Sequence, residues 1–230
     1  MRLHLNTARA CHGNWSLTAQ GTFCEGIHLV SGDVGSGKST LALMMAGLLS
    51  PTDGSIGRDG ISSSMIALQF PELHVTGTTV AEECRSWGLD PESVLGAVNL
   101  MDKSDTPPLS LSRGELKRLH LACILSGQYD LLLLDEPFSS LDCREKERLC
   151  EILARRSGGI IILFTHEQTS FPRVDHIWEI QGGVLIDCGE LPGALVRWEH
   201  APALIKKLIS AGRCQKNISS GDLMEAGCRT

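Results

Sequence analysis

A glycine-rich loop near the N-terminus carries the residue types that bind phosphate. The segment GDVGSGKST follows the apolar run IHLVS and fits the spacing GxxxxGK[ST]. Backbone N–H groups of such a loop turn inward around phosphate oxygens, and a helix starting at its end adds a positive dipole. The loop therefore predicts a purine triphosphate site. Lys38 is expected to reach the β- and γ-phosphates, and Ser39 is expected to ligate Mg²⁺. The expected nucleotide-binding residues are Gly32, Asp33, Val34, Gly35, Ser36, Gly37, Lys38, Ser39 and Thr40.

Two carboxylates follow a second apolar run. LLLL at residues 131–134 leads directly into Asp135, Glu136 and Pro137. An aspartate at the carboxyl end of a parallel strand beside a glycine loop is well placed to hold Mg²⁺. Glu136 would then orient the attacking water, because phosphoryl transfer depends mainly on positioning. The pair could instead cap the following helix, but the glycine loop favours catalysis.

Strands and helices alternate around these residues. Continuous apolar runs such as LLLL and IIILF are typical of strands buried on both faces of a parallel sheet. The alternation predicts a three-layer α/β core with a mostly parallel sheet. We predict strands at residues 2–8, 27–31, 64–68, 131–134 and 160–164, and helices at 38–49, 113–126 and 143–155.

The remaining segments differ in character. Residues 71–109 lack a buried-strand run and carry two helical patterns, at 79–87 and 91–101, which predicts a small helical lobe inserted in the core. Turn residues at 51–60 predict a hairpin-like excursion, and QGGVLIDCGEL, after Ile180, predicts a late hairpin. We divide the chain into an ATP-binding core (1–70 and 125–200), a helical lobe (71–124) and a C-terminal segment (201–230). That last segment is predicted to contain a helix at 202–210 and a loosely ordered polar tail at 211–230.

Composition limits the classes of partner. The chain has 230 residues and a formal net charge of −6, which argues against a nucleic-acid binder. No apolar run is long enough to span a membrane, and no signal-peptide pattern is evident, so any work at a membrane would proceed from the cytosolic face through a partner. The nine cysteines are scattered without zinc-ligand spacing. We interpret them as reduced, mostly buried thiols, with a redox or metal role as the alternative.

Several further motifs follow the glycine loop in a fixed order. They are Gln69, LSRGE at 111–115, LLLLDEP, SSLD at 139–142 and His166. This order resembles the nucleotide-binding subunits of ABC transporters over roughly residues 1–190. QFPELHVTGTTVAEE and SLSRGELKRLHLACIL are most similar to the energy-coupling-factor and cobalt/nickel-type importer ATPases. The resemblance implies a P-loop NTPase core with N-terminal antiparallel β elements and an inserted helical lobe.

The resemblance also implies roles for individual residues. Gln69 is expected to contact Mg²⁺ and the lytic water and to link the site to the helical lobe. His166 is expected to hydrogen-bond the γ-phosphate. Ser112 and Gly114 are expected to offer a hydroxyl and a backbone N–H to the γ-phosphate held by a partner subunit. The SSLD segment is expected to form the loop that communicates across this dimer.

Four positions depart from the family's pattern. Arg113 replaces a glycine between the two signature residues, and Glu115 replaces a glutamine. His74 stands where the importer-type motif has glutamine. The expected adenine-stacking aromatic is missing before the loop, so we assign His12 to the base, with Trp15 as an alternative and weak base recognition as a further one.

The implied function is an ATP hydrolase that uses ATP and Mg²⁺ and powers uptake of a metal ion or vitamin-like micronutrient. The expected partners are a second ATPase, identical or paralogous, and an integral membrane subunit, which places the protein on the inner face of the membrane. Three alternatives stay open at this point: a soluble assembly ATPase of the iron–sulfur type, a regulatory ATP-binding switch, and a DNA-repair ATPase. The last is disfavoured because no sustained heptads separate Gln69 from Leu111.

Overall fold

The computed structural model describes residues 1–213 and 215–228. Within them a single mixed sheet runs through the molecule in the order β4-β1-β2-β9-β8-β3-β7-β6-β5. Its strands are β1 Arg2–His12, β2 Trp15–Cys24, β3 Gly26–Ser31, β4 Asp53–Asp59, β5 Ser64–Ala67, β6 Leu131–Asp135, β7 Ile160–Phe164, β8 His176–Gln181 and β9 Val184–Glu190.

The parallel part of the sheet comprises β5, β6, β7, β3 and β8. The run LLLL of β6 alternates between the two faces: Leu131 and Leu133 join one apolar cluster, while Leu132 and Leu134 join another. All four are at most 1% exposed. An uninterrupted apolar run is therefore required here, because helices cover both faces.

The antiparallel part differs from the sequence-based prediction. Residues 51–60 do not form a hairpin of their own; β4 instead pairs antiparallel with β1, whose outer edge would otherwise lack hydrogen-bond partners. β2 was not predicted, and it pairs with β1. The late hairpin is β8–β9, and its first strand begins at His176, before the predicted start.

Seven helices of the described residues complete the fold, and three of them begin with a capping box that fixes their first turn. The boxes are Thr79 with Glu82, Ser112 with Glu115, and Asp142 with Glu145. The helices are α1 Lys38–Ala46, α2 Val80–Ser86, α3 Pro91–Val98, α4 Arg113–Ser126, α5 Cys143–Ala154, α6 Ala203–Ser210 and α7 Ser220–Cys228.

Helices α2, α3 and α4 share an apolar cluster separate from the two that flank the sheet. Val80, Leu95, Leu116 and Leu119 are at its centre and are at most 3% exposed. A short 3-10 turn at Pro71–His74 leads from β5 toward these helices. The segment after Gln69 is thus helical, as its pattern indicates.

The predicted loosely ordered tail is wrong for residues 215–228. Asn217 is buried, and its side-chain amide donates to Val174 O (2.8 Å) and accepts from Val174 N (3.0 Å). Ile218 is fully buried beside it, and α7 follows. A polar composition misled the prediction because the buried amide satisfies a loop backbone, which a pattern does not reveal. Cys214 and residues 229–230 lie outside the described part.

The cysteines are less buried than predicted. Among the seven that the structure describes, three are exposed and one is half-buried. No group of three or more potential metal ligands of the His, Cys, Asp or Glu type occurs among residues 1–213 and 215–228. In the same residues, no helix combines the length and the apolar character needed to cross a bilayer.

Candidate active site

The glycine loop connects β3 to α1 by a path that side chains would block. Gly32 has φ 151°, and a Cβ there would lie 2.8 Å from Ser36 Oγ. Gly37 has φ 110°, and a Cβ there would lie 2.7 Å from the Trp15 ring. Only glycine tolerates these contacts and this backbone region. The loop can therefore expose its N–H groups toward a ligand at the start of α1.

Lys38 is held inside the loop. Its ammonium donates to Gly32 O (2.8 Å) and Asp33 O (3.0 Å), and it lies 3.6 Å from Glu136 Oε1. Its side chain is only 6% exposed. A buried ammonium needs such partners, and these keep a positive charge at the mouth of the loop.

Glu136 is buried and fully hydrogen-bonded. Its carboxylate accepts from Thr165 Oγ1 (3.0 Å), from His166 Nδ1 (2.7 Å) and from His166 N (3.4 Å). Its backbone has φ 47°, in the left-handed region that non-glycine residues avoid. Such strain persists only where the surroundings impose it. β6 and β7 therefore fix this carboxylate at the carboxyl end of the sheet.

Asp135 differs from its neighbour in having an unused ligand atom. Its Oδ1 is buried and has no hydrogen-bond partner in the described residues. Burial raises the pKa of Asp135, opposed by a hydrogen bond from Ser39. An orphaned carboxylate oxygen beside a hydroxyl matches the all-oxygen ligand preference of Mg²⁺. Asp135 and Ser39 therefore fit the predicted metal.

A cavity of about 500 Å³ gathers most of the predicted residues. His12 and Trp15 both line it, so the structure brings both candidates for the base to the same place. A second cavity, of about 630 Å³, adjoins the loop and includes Asp33, Val34, Gly35 and Ser36. The first cavity is lined by His12, Trp15, Val34, Gly35, Gly37, Lys38, Ser39, Thr40, Gln69, Glu136 and His166.

Ser112 and Gly114 do not line this cavity. Ser112 caps α4 and exchanges hydrogen bonds with Glu115, whose carboxylate also accepts from Lys103 (2.5 Å). The Lys103 contact, with the hydrogen bonds from Ser112, lowers the pKa of Glu115 to about 2. A Cβ at Gly114 would lie 2.8 Å from Ser140 O, so the signature packs on the SSLD segment. Their action on a partner's nucleotide stays a prediction.

Two supporting groups were missed by sequence reasoning. Glu179 is fully buried and accepts from His200 Nδ1 and from the His200 backbone N–H, both at 2.7 Å. His200 Nε2 in turn lies 3.7 Å from Asp33 Oδ2 of the glycine loop. No local signal marks this chain of contacts, because its members are far apart in sequence.

The second missed group is Lys117 of α4. It is 1% exposed, and its ammonium contacts Leu68 O (3.4 Å) and Gln69 O (3.3 Å). Burial lowers the pKa of Lys117 to about 8, while Asp135 and Glu136 oppose the shift. Gln69 is thus held by its backbone at the edge of the cavity.

Comparison with known proteins places the chain. A family model described as ABC transporter matches residues 22–139, which are 118 of the 230 residues. The chain belongs to the ABC transporter family. Membership confirms the predicted family, the nucleotide-binding subunits of ABC transporters.

Two curated relatives illustrate the range of matches to this ABC ATPase. An energy-coupling factor transporter ATP-binding protein of Thermotoga maritima is 34% identical, covering 71% of this chain and 71% of the relative. A Methanosarcina acetivorans protein is 31% identical over 69% of this chain. The chain spans only 35% of the length of that archaeal relative.

A solved structure supports the fold. It is described as a dimeric, post-hydrolysis state of an ATP-binding cassette bound to ADP and Pi, and it aligns with a TM-score of 0.63. The alignment covers 80% of this chain and 98% of that one at 19% identity. The predicted ABC ATPase fold, with its mixed and mostly parallel sheet, is confirmed.

Proposed function

We propose that this ABC ATPase is the ATP-binding and ATP-hydrolysing subunit of an importer for a metal ion or a vitamin-like micronutrient. The observation that carries the activity is Glu136, buried between Lys38 and His166 beside the orphaned oxygen of Asp135. The name of the Thermotoga maritima relative, an energy-coupling factor transporter ATP-binding protein, supports a transporter of the type that the sequence motifs resemble.

The predicted phosphate-binding, metal-binding and catalytic residues each have a role in this proposal. Lys38 and the loop N–H groups bind the phosphates, and Ser39, Asp135 and Gln69 hold Mg²⁺, which supplies charge neutralisation when bound. Glu136 orients the attacking water and accepts its proton. His166, tied to Glu136 by a 2.7 Å hydrogen bond, contacts the γ-phosphate.

The partner in this proposal is a second ATPase subunit, identical or paralogous, arranged head to tail. Ser112 and Gly114 of one subunit complete the nucleotide site of the other. The location of both residues outside their own cavity supports this arrangement. Loss of the γ-phosphate removes the shared ligand, and the dimer opens.

The membrane partner is an integral transporter subunit, which holds the ATPase at the inner face of the membrane. The helical lobe, residues 71–124, passes the opening motion to it. The 3-10 turn at Pro71–His74 begins two residues after Gln69, so a change at the γ-phosphate reaches the base of the lobe within a few residues.

The test uses Glu136→Gln with the full chain. We expect turnover to fall by about 100-fold or more because the proton acceptor is lost, while ATP and Mg²⁺ drive a stable dimer. Steady-state ATP hydrolysis and the mass measured by light scattering check both parts. A variant that remains monomeric at saturating ATP contradicts a sandwich of two identical subunits.

One observation favours a second candidate, a regulatory ATP-binding switch. Arg113 is exposed between Ser112 and Gly114, and it places a positive charge in the first turn of α4, where the helix dipole disfavours it. In a switch, the wild-type chain would bind ATP and dimerise without turnover. Equal hydrolysis rates for the wild-type chain and Glu136→Gln would identify this function.

A further inference from the structure

Helix α4 supports the Gln69 loop from two directions. Lys117 contacts the carbonyl oxygens of Leu68 and Gln69 at 3.4 and 3.3 Å. On the other side of the loop, the N–H of Leu68 donates to His74 Nε2 (3.2 Å), and the His74 ring packs on His120 with 4.2 Å between centroids. The backbone before the Gln69 side chain therefore rests on α4 through a direct and an indirect contact.

The burial of Lys117 makes its contacts costly to lose. The side chain is 1% exposed, and no carboxylate lies within 4.0 Å of its ammonium among the described residues. A buried ammonium without a direct ion pair depends on the carbonyl oxygens that it reaches. The more distant carboxylates of Asp135 and Glu136 add attraction toward the active site. Lys117 is thus held between the loop and the catalytic carboxylates.

The same helix begins at the signature. Ser112 is the N-cap of α4, and Lys117 lies within the second turn of that helix. A helix of this length moves as a rigid element, because its backbone hydrogen bonds are internal. A shift of Ser112 and Gly114 would therefore be transmitted to the carbonyl oxygen of Gln69 through Lys117.

We infer that Lys117 is a positioning residue that fixes Gln69 to the helix carrying the signature. The inference rests on the proposed function. Within one chain, Lys117 would connect Gln69 of that chain's own ATP site to the signature residues that complete the ATP site of the partner. The Gln69 side chain is therefore in position for hydrolysis only when α4 is also in position. Lys117 itself does not touch the nucleotide.

The experiment compares variants of the full chain in steady-state ATP hydrolysis. Lys117→Met keeps the length of the side chain and removes the ammonium, and we expect kcat to fall about 10- to 100-fold through misplaced Gln69, with KM for ATP changed by less than about threefold. Lys117→Arg keeps a cation and should restore kcat to within about threefold of wild type.

A matched control separates positioning from stability. Leu119 lies on the same helix and is fully buried, but its side chain packs in the apolar cluster shared by α2, α3 and α4. Leu119→Ala should lower the melting temperature at least as much as Lys117→Met, because it opens a cavity. Its kcat, measured well below the melting temperature, should remain within about threefold of wild type.

A double variant decides whether Lys117 acts through Gln69. In a Gln69→Ala background, Lys117→Met should change kcat by less than about twofold, because the group that it positions is already missing. A full additional loss in that background, or a wild-type kcat for Lys117→Met, overturns the inference.

Hydrogen exchange gives a readout that does not need hydrolysis. Lys117→Met should accelerate exchange of the backbone amides at residues 68–74 by about 10-fold or more, and Leu119→Ala should not do so selectively. A wild-type chain without ATPase activity would contradict the proposed function. Unchanged exchange at residues 68–74 would contradict the role of Lys117 independently of that result.

Discussion

The two candidate nucleotide-contacting regions of this chain are built in opposite ways. In the glycine-loop region, Lys38 and Glu136 are 6% and 7% exposed and are held by contacts between distant segments. In the signature region, Ser112 is exposed, and its hydrogen bonds stay within the first turn of α4. The first region is fixed by the folded core, whereas the hydrogen bonds that hold the Ser112 side chain need only their own helix. In the proposed dimer a group that acts on the partner has to be presented at the surface, and a local cap fixes Ser112 there.

The largest expected effect tests the buried region. Lys38→Met removes the charge that the loop holds for phosphate, and we expect ATP affinity to fall about 100-fold. Glu136 loses its cation at the same time, so the melting temperature should also fall. Titration of the fluorescence of a labelled ATP analogue measures the affinity. Lys207→Met, at an exposed position of α6, is the control. An ATP affinity of Lys38→Met equal to that of wild type would contradict the difference between the two regions.

The next expected effect is a loss of stability at low pH, and it compares a buried histidine on the strand before the glycine loop with one on the helix that carries the signature. His28 of β3 uses both ring nitrogens, donating from Nε2 to Cys24 O and accepting at Nδ1 from Trp178 Nε1. His120 of α4 is as buried, but neither of its ring nitrogens has a hydrogen-bond partner in the described residues. Burial lowers the pKa of His28 to about 4 and the pKa of His120 to about 3.

The sign of the pH effect follows from these directions. Each histidine is neutral in the folded chain and takes up a proton on unfolding below about pH 6.5. Stability is therefore complete above that pH and is lost as the pH falls toward the folded pKa. We expect protonation of each histidine on unfolding to lower the free energy of unfolding by about 2 kcal/mol between pH 7 and pH 5.

Urea unfolding at several pH values measures this loss. His120→Leu should remove about 2 kcal/mol of the loss between pH 7 and pH 5. Because it replaces an unsatisfied polar ring by an apolar side chain, it should leave the chain at least as stable at pH 7. His28→Leu should remove a similar share of the loss but destabilise the chain at pH 7. An unfolding free energy that is flat between pH 7 and pH 5 would contradict the burial of neutral rings.

The smallest expected effect tests the exposed region. Ser112→Ala removes a cap worth about 1 kcal/mol and, in the proposed dimer, a donor to the partner's phosphate. We expect a similar loss of stability from Thr79→Ala, which removes the capping box of α2. Hydrolysis should fall about 10-fold in Ser112→Ala alone. Equal hydrolysis by the two variants would mean that Ser112 serves only its own helix.

Sequence reasoning succeeded where the evidence was local. The glycine loop, the run before Asp135 and the first turn of α4 are each defined within about ten residues, so spacing alone places them. The parallel strands could be predicted because strands buried on both faces need continuous apolar runs, which are visible in the sequence. These features account for most of the cavity and for the central sheet.

Long-range contacts were beyond that reasoning. Lys117 is one polar residue in a helix that also has an exposed face, and its contact with Gln69 spans 48 residues. His200 and Asp33 meet only because β8 brings Glu179 beneath the glycine loop. In both cases tertiary structure, not local propensity, decides the outcome.

β2 is different, because its sequence alternates: Leu17, Ala19 and Phe23 are buried, and alternate residues between them are polar. That period-2 pattern was present in the sequence, and the prediction missed it.

The left-handed backbone of Glu136 has a consequence for directed evolution of this protein. At φ 47° the backbone conformational energy of a glycine or an asparagine is lower than that of a glutamate by about 1 kcal/mol. The same carboxylate is paired with Lys38 and accepts hydrogen bonds from Thr165 and His166, so its replacement relieves the backbone but leaves a buried ammonium without its carboxylate. The two effects on stability oppose each other, and directed evolution for heat resistance alone gives no steady selection to keep Glu136. A selection that also scores ATP consumption is needed to retain it.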